Sequence, residues 1–85
     1  MISQLRNEIS TLDQKIAELL CERLQLVEQI QKEKAKHGQP VEDLTREAEV
    51  LASVKQNAPE KFHSSLEAIY QSIFLAGKKK TAGKD

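Results

Sequence analysis

The first part of the chain carries apolar residues at alternating steps of four and three, which is the spacing of one face of an α-helix. Neither Gly nor Pro occurs between residue 2 and residue 37. The pattern predicts one long helix with a heptad seam that a single cation interrupts. In order, the seam positions are Leu5, Ile9, Leu12, Ile16, Leu19, Arg23, Leu26 and Ile30.

The predicted length of this helix bears on how many copies of the chain fold together. A helix of about 35 residues is roughly 50 Å long, whereas a compact globule of this chain length has a radius of gyration of about 12 Å. One copy of the chain cannot cover such a helix. We therefore expect an isologous homodimer in which the two long helices run antiparallel.

A break in the pattern at His37-Gly38-Gln39-Pro40 ends the long helix. Gly38 suits a helix C-cap, and Pro40 cannot continue the backbone hydrogen-bond ladder. A second helix is predicted to begin near Glu42 or Asp43, because acidic side chains favour a helix N-terminus.

The second helix is predicted to end near Asn57, and Pro59 suits the first turn of a third helix that continues to about residue 77. The remaining residues, 78–85, form a lysine-rich tail that we expect to be flexible. The chain is therefore predicted to be all-α, with one helical domain over residues 1–77 that contains one long and two shorter helices. Two copies would form an intertwined six-helix bundle.

Charge and cysteine content narrow the class of protein. The chain has 13 basic residues (Lys and Arg) and 13 acidic residues (Asp and Glu), so its formal net charge is zero. This balance gives no indication of nucleic acid or a membrane surface as a partner. Cys21 is the only cysteine, which excludes an internal disulfide, fits a reducing compartment and favours a buried structural thiol. No apolar run has the length of a signal peptide or of a membrane span. A cytoplasmic location is expected.

Arg23 and Lys34 are candidate ligands for an anion. Burying a lone guanidinium at a seam position of a helix costs several kcal/mol unless an anion or a hydrogen-bond network pairs with it. Lys34 lies eleven residues further on, within roughly 20° of the same helix face. Two interpretations stay open: a shared pocket for a small dianion, or a salt bridge or snorkelling arginine beside a solvated lysine.

Arg6 and an acid-rich turn supply further candidates. Arg6 lies about 25 Å before Arg23 along the helix and about 100° around it, so only a partner chain could bring it to the same pocket. Otherwise it is a surface arginine. Asp43, Arg46 and Glu47 fall on adjacent turns of the second helix. A capping acid with an ordinary surface ion pair accounts for these three residues equally well.

Other kinds of chemistry find no support in the sequence. It contains no nucleophile paired with a base, no Gly-rich phosphate loop and no zinc motif. His37 and His63 stand at predicted helix edges, where capping or solvated roles fit them. We expect no metal and no cofactor, so any catalysis would depend on positioning and fixed charge.

The spacing of these residues resembles the all-α (AroQ-class) chorismate mutases over residues 4–77. The family pattern has Leu-Arg, Ile, Leu-Asp, a Leu-Leu pair ahead of an Arg, a Lys eleven residues later and a Gly-x-Pro-Val-x-Asp-x-x-Arg-Glu turn. The matching residues are Leu5-Arg6, Ile9, Leu12-Asp13, Leu19-Leu20, Arg23, Lys34 and Gly38 through Glu47.

The resemblance implies the rearrangement of chorismate, a small dianion, to prephenate in aromatic amino-acid biosynthesis. It also implies that Arg23 and the partner's Arg6 clamp the substrate carboxylates. Lys34 would contact a carboxylate and donate to the ether oxygen. Glu47, together with the helix start at Asp43, would bind the ring hydroxyl.

By the same resemblance, Arg46 would support the carboxylate end. The family usually places a Ser and, four residues later, a Gln or Glu near the ether oxygen, where this chain has Gly77 and Thr81. We therefore expect weaker catalysis than in a complete site.

Two alternatives remain. One is a low-activity or regulatory module that docks on another enzyme of the shikimate pathway. The other is isochorismate-pyruvate lyase activity on the same scaffold, although the turn from Asp43 to Glu47 matches the mutase pattern better.

Overall fold

The computed structural model of the chain describes residues 1–40 and 42–82, with side chains up to residue 78. Val41 of the predicted turn, the side chain of Thr81 and the last three residues of the predicted tail lie outside the described residues. Over the described residues the fold is all-α, as predicted. Its elements, in chain order, are α1 (Ile2–Lys36), α2 (Leu44–Gln56), a 3₁₀ turn (Glu60–Phe62) and α3 (His63–Ala82).

Helix α1 sets the length of the molecule. It has 35 residues, and the molecule measures 53 × 28 × 17 Å with a radius of gyration of 15.6 Å. That radius exceeds the value of about 12 Å for a compact globule of this length. The elongated shape follows from the uninterrupted, Gly-free and Pro-free periodic sequence of α1.

The apolar seam of α1 is uncovered along its whole length in a single chain. Its seven apolar side chains are each at least half exposed. A different face of α1 packs against α3, and its half-buried positions recur at helical spacing from the middle of the helix onward. These positions are Leu20, Arg23, Leu24, Val27, Glu28, Gln31 and Lys34. The uncovered seam supports the predicted dimer, which remains a prediction.

Helix α3 forms the centre of the fold because it packs against both α1 and α2. Phe74 is buried, and the ring of Tyr70 meets it edge to face with the ring centroids 5.9 Å apart. Gly77, one turn later, is also buried. A Cβ at this position would lie 3.6 Å from Cγ1 of Val27, which is an ordinary van der Waals contact, so the packing of α1 on α3 has room for a methyl group here.

The two ends of the first loop follow the sequence prediction. Gly38 has a φ of 66°, a left-handed conformation that glycine adopts without strain after a helix. Asp43 caps α2, because its Oδ1 accepts a hydrogen bond of 3.0 Å from the backbone N–H of Arg46. None of the helices in the described ranges combines the length and apolarity needed to cross a bilayer.

Three expectations require correction. Helix α3 does not end near Gly77 but continues to Ala82, because lysine is a good helix former and basic residues are favourable near a helix C-terminus. Pro59 precedes the 3₁₀ turn instead of lying in the first turn of α3. Cys21 is exposed in the single chain, since α3 covers another face of α1.

Candidate active site

A cavity of about 300 Å³ lies where the second half of α1, the start of α2 and the end of α3 meet. Its polar lining combines cations and carboxylates from all three helices. The charged lining residues are Arg23, Lys34, Asp43, Arg46, Glu47 and Lys78. The structure therefore brings together five of the charged residues that the sequence singled out and adds a sixth that it did not.

Helix α1 contributes Arg23 and Lys34 to the same cavity, as their spacing of eleven residues predicts. Both side chains are half-buried. The guanidinium carbon of Arg23 lies 5.6 Å from the centre of the Phe74 ring, a cation–π contact that holds the side chain against α3. Among the described residues, neither side chain has a carboxylate partner. Both cations are therefore available to an anionic ligand.

The start of α2 contributes residues of both signs. The Asp43 carboxylate is occupied in capping the helix. Arg46 lies 3.5 Å from Glu49, but both side chains are largely exposed, so this pair contributes little. The Glu47 side chain is only 18% exposed. Of the three, Glu47 is the residue most withdrawn from solvent.

Helix α3 contributes Lys78, which the lysine-rich sequence predicted to be part of a flexible tail. Its Nζ donates to Glu42 Oε2 at 2.7 Å and lies 2.9 Å from Glu47 Oε2. The hydrogen bonds to these two carboxylates raise the pKa of Lys78 above its ordinary value. Its position four residues after Phe74 was the available sequence signal, because that spacing keeps both residues on the inner face of α3.

Gln31 is the other polar lining residue that sequence reasoning missed. Its Nε2 donates a hydrogen bond of 3.2 Å to the carbonyl oxygen of Gly77. Gly77 itself also lines the cavity. No sequence signal separated Gln31 from the other polar residues of α1, because the pairing depends on how α1 and α3 pack.

The remaining predicted site residues are Arg6 and Thr81. Arg6 is exposed near the start of α1 and does not line the cavity of its own chain, in keeping with its distance of about 25 Å from Arg23 along the helix. Thr81 is part of α3, but its side chain lies outside the described residues. Its position in the site remains a prediction.

The lining has a clear electrostatic character. It contains four cations and two carboxylates, which leaves an excess of two positive charges when all six are ionised. Such a partly enclosed cationic cavity attracts small anions and suits a dianion in particular. In the part of the chain that the structure describes, no group of three or more His, Cys, Asp or Glu residues could hold a metal ion.

Comparison with known families agrees with the resemblance noted in the sequence. A family model described as chorismate mutase type II matches residues 5–81. The matched range includes Arg6 and all the charged residues of the cavity. Comparisons with curated proteins and with solved structures found no match. Because the family model covers almost the whole chain, the protein belongs to the chorismate mutase type II family.

Proposed function

We propose that this protein catalyses the rearrangement of chorismate to prephenate, and that two copies of the chain together complete each site. The observation that carries the proposal is the pair of cations, Arg23 and Lys34, that line one cavity without a carboxylate partner in the described part of the chain. Family membership supplies the substrate. The positive excess of the cavity matches the charge of that substrate.

The reaction suits a site that has only positioning and charge to offer. Within one molecule, a C–O bond breaks while a C–C bond forms, and no covalent enzyme intermediate is required. The protein must hold the substrate in its reactive diaxial shape and stabilise negative charge that develops on the ether oxygen. Fixed donors in a partly desolvated cavity provide that stabilisation.

Arg23 and Lys34 take the central roles in the proposal. The planar guanidinium of Arg23, held against Phe74, is suited to bidentate contact with a substrate carboxylate. Lys34 has a compact ammonium on a flexible stem, which lets it contact a carboxylate and donate to the ether oxygen. Removal of either charge should impair binding and rate together.

The start of α2 would recognise the opposite end of the substrate. Glu47 is mostly shielded from solvent and is the proposed acceptor for the ring hydroxyl, together with the helix start at Asp43. Arg46, which is exposed and weakly paired, is free to turn towards a carboxylate. In this proposal the start of α2 supplies the acceptors for the hydroxyl together with the Arg46 donor, and α1 supplies the other donors for the carboxylates.

The partner chain would supply Arg6. Leu26 and Ile30 belong to the uncovered seam and also line the cavity, so a helix that packs on the seam forms a further wall of the cavity. If two copies of α1 overlap fully and antiparallel, residue 2 of one lies opposite residue 36 of the other. Residue 6 then lies opposite residue 32, level with the part of the cavity that Lys34 lines.

The direct test is the loss of chorismate absorbance with purified protein, measured beside an Arg23→Ala variant. We expect saturable loss with prephenate as the product, and a reduction of kcat/KM by about 10²- to 10³-fold in the variant. Release of pyruvate from isochorismate, measured in a parallel assay, would identify the lyase instead. A rate no higher than the uncatalysed one would contradict the proposal and favour the regulatory module, which addition of a shikimate-pathway synthase would then test.

A further inference from the structure

Lys78 occupies a position in the cavity that neither the resemblance nor the proposed roles account for. It follows Gly77 on α3, and its ammonium is shared between Glu42, which precedes α2, and Glu47 in the first turn of α2. One side chain therefore connects the end of α3 to the start of α2. Lys78 and Glu47 both line the cavity, and Glu47 is the residue proposed to bind the ring hydroxyl.

The contact has a defined geometry at Glu47. Lys78 approaches Oε2 at 2.9 Å, and no other described residue makes a hydrogen bond or ion pair with the carboxylate. Lys78 therefore holds Oε2, while Oε1 has no hydrogen-bond partner among the described residues. The two side chains are 30% and 18% exposed, so water screens their attraction less than it would at the surface.

The charge of Lys78 also changes what a dianion meets in the cavity. Without it, Glu47 would present an unpaired carboxylate to an anionic substrate. Lys78 is a cation at neutral pH, as any ordinary lysine is, and its hydrogen bonds to both carboxylates raise its pKa further. The cation thus offsets a repulsion that Glu47 would otherwise introduce.

We propose that Lys78 is a positioning residue, which fixes the Glu47 carboxylate to accept a substrate hydroxyl and offsets its charge against the dianion. This inference rests on the proposed function. It predicts that Lys78 acts through Glu47 and not by direct contact with the substrate. Loss of Lys78 should therefore weaken substrate binding more than it slows the chemical step.

The chain offers a matched control in Lys55. Its Nζ lies 2.7 Å from Glu67 Oε1 in an ion pair that also joins α2 to α3, and the Lys55 side chain is about as exposed as that of Lys78. This pair lies near the far end of α2 and does not line the cavity. A Lys55→Met variant therefore removes an interhelical ion pair of the same kind outside the site.

The experiment is a double-mutant cycle on kcat and KM for chorismate, with the wild type, Lys78→Met, Glu47→Gln and the double variant. We expect Lys78→Met to raise KM about tenfold with kcat within about twofold, the scale of one lost charge-assisted contact. The double variant should be no worse than Glu47→Gln alone, because residues that act as a unit are not additive. Lys78→Arg keeps the charge, so its KM should stay close to that of the wild type. Lys55→Met should have the KM and kcat of the wild type.

The outcomes separate this inference from the proposed function. A wild type without mutase activity overturns both. An active wild type whose Lys78→Met variant keeps its KM overturns the positioning role alone. So does a double variant whose loss equals the product of the two single losses, or a Lys55→Met variant with an equal rise in KM. If Lys78→Met does not fold, Lys78→Gln replaces it and must show the same rise in KM.

Discussion

The two halves of α1 have the same apolar periodicity but different surroundings. From Met1 to Leu19 every residue is exposed in the single chain. From Leu20 onward one face of the helix packs against α3 and lines the cavity, while the seam beside it stays exposed. The rest of one chain leaves the first half of α1 uncovered, and this exposed half supports the proposed second copy of the chain.

The difference between the two halves of α1 indicates that they have different roles. The second half of α1 places cations in a cavity of its own chain. The first half carries Arg6 and an apolar seam with nothing from its own chain upon it. In our account the first half of α1 packs on the seam of the partner chain and completes the partner's cavity. Each α1 helix therefore contributes to two sites, with its second half in the cavity of its own chain and its first half in the cavity of the partner.

A charge in the uncovered seam should have the largest effect. Leu12→Glu would bury an unpaired carboxylate in each copy of the interface, which costs several kcal/mol per site. We expect sedimentation as a monomer, with loss of helical circular dichroism and of mutase activity. Gln14→Glu adds the same charge about 200° around the helix and should leave the dimer intact. A dimeric Leu12→Glu protein would show that the seam is not the interface.

Removal of Arg6 should have the next largest effect. Arg6→Ala takes away one carboxylate clamp and should lower kcat/KM by about 10²-fold with the dimer and its melting temperature largely unchanged. The control is Lys15→Ala, a cation nine residues further and on the opposite face of the same exposed half. The measurement is kcat/KM of both variants by steady-state kinetics. Equal values for Arg6→Ala and the control would show that Arg6 is not part of the site.

A donor at position 81 should raise the rate. Position 81 lies one helical turn after Gly77 in α3, where the resemblance expects a Gln or Glu near the ether oxygen. Thr81→Gln should increase kcat about tenfold, which is part of what one preorganised donor contributes. Thr81→Leu, of similar size without a donor, should not. An unchanged rate in Thr81→Gln would mean that the missing donor does not limit catalysis.

The smallest expected effect concerns Gly77 in the packed half. Gly77→Ala should raise the free energy of unfolding by about 0.5–1 kcal/mol, because glycine is unfavourable within a helix and the new Cβ would make an ordinary contact with Val27. Gly38→Ala should lower it by roughly 1–2 kcal/mol, since Gly38 has a positive φ. Thermal unfolding of both variants should show shifts of opposite sign, and a destabilised Gly77→Ala would contradict the packing described at that position.

The helices were predictable where local signals agreed. The unbroken periodicity of α1, the left-handed position of Gly38 and the capping role of Asp43 all follow from local rules. The end of α3 was not predictable in the same way. A run of lysines is typical of a solvated tail. The pairing of Lys78 with Glu42 and Glu47, which brings the end of α3 to the cavity, appears only in the folded structure.

The site was predictable in its cations and less so in its supporting residues. The position of Arg23 in a heptad seam and its spacing to Lys34 are properties of one helix, and they made a shared cavity one of two interpretations. The other was a salt bridge or snorkelling arginine beside a solvated lysine. Gln31 carries no such signal, because its contact with Gly77 exists only when α1 and α3 pack. The proposed role of Arg6 depends on a second copy of the chain, which lies outside the structure of a single chain.

The most direct test of a site shared between two chains is a mixing experiment with the Arg6→Ala and Arg23→Ala variants. Each variant alone should be nearly inactive. In a mixed dimer, one site unites an intact Arg23 with the partner's intact Arg6, and the other site carries both defects. Equal amounts refolded together should recover about a quarter of the wild-type rate, since half of the dimers are mixed and each has one intact site. No recovery in dimers shown to be mixed would contradict the shared site.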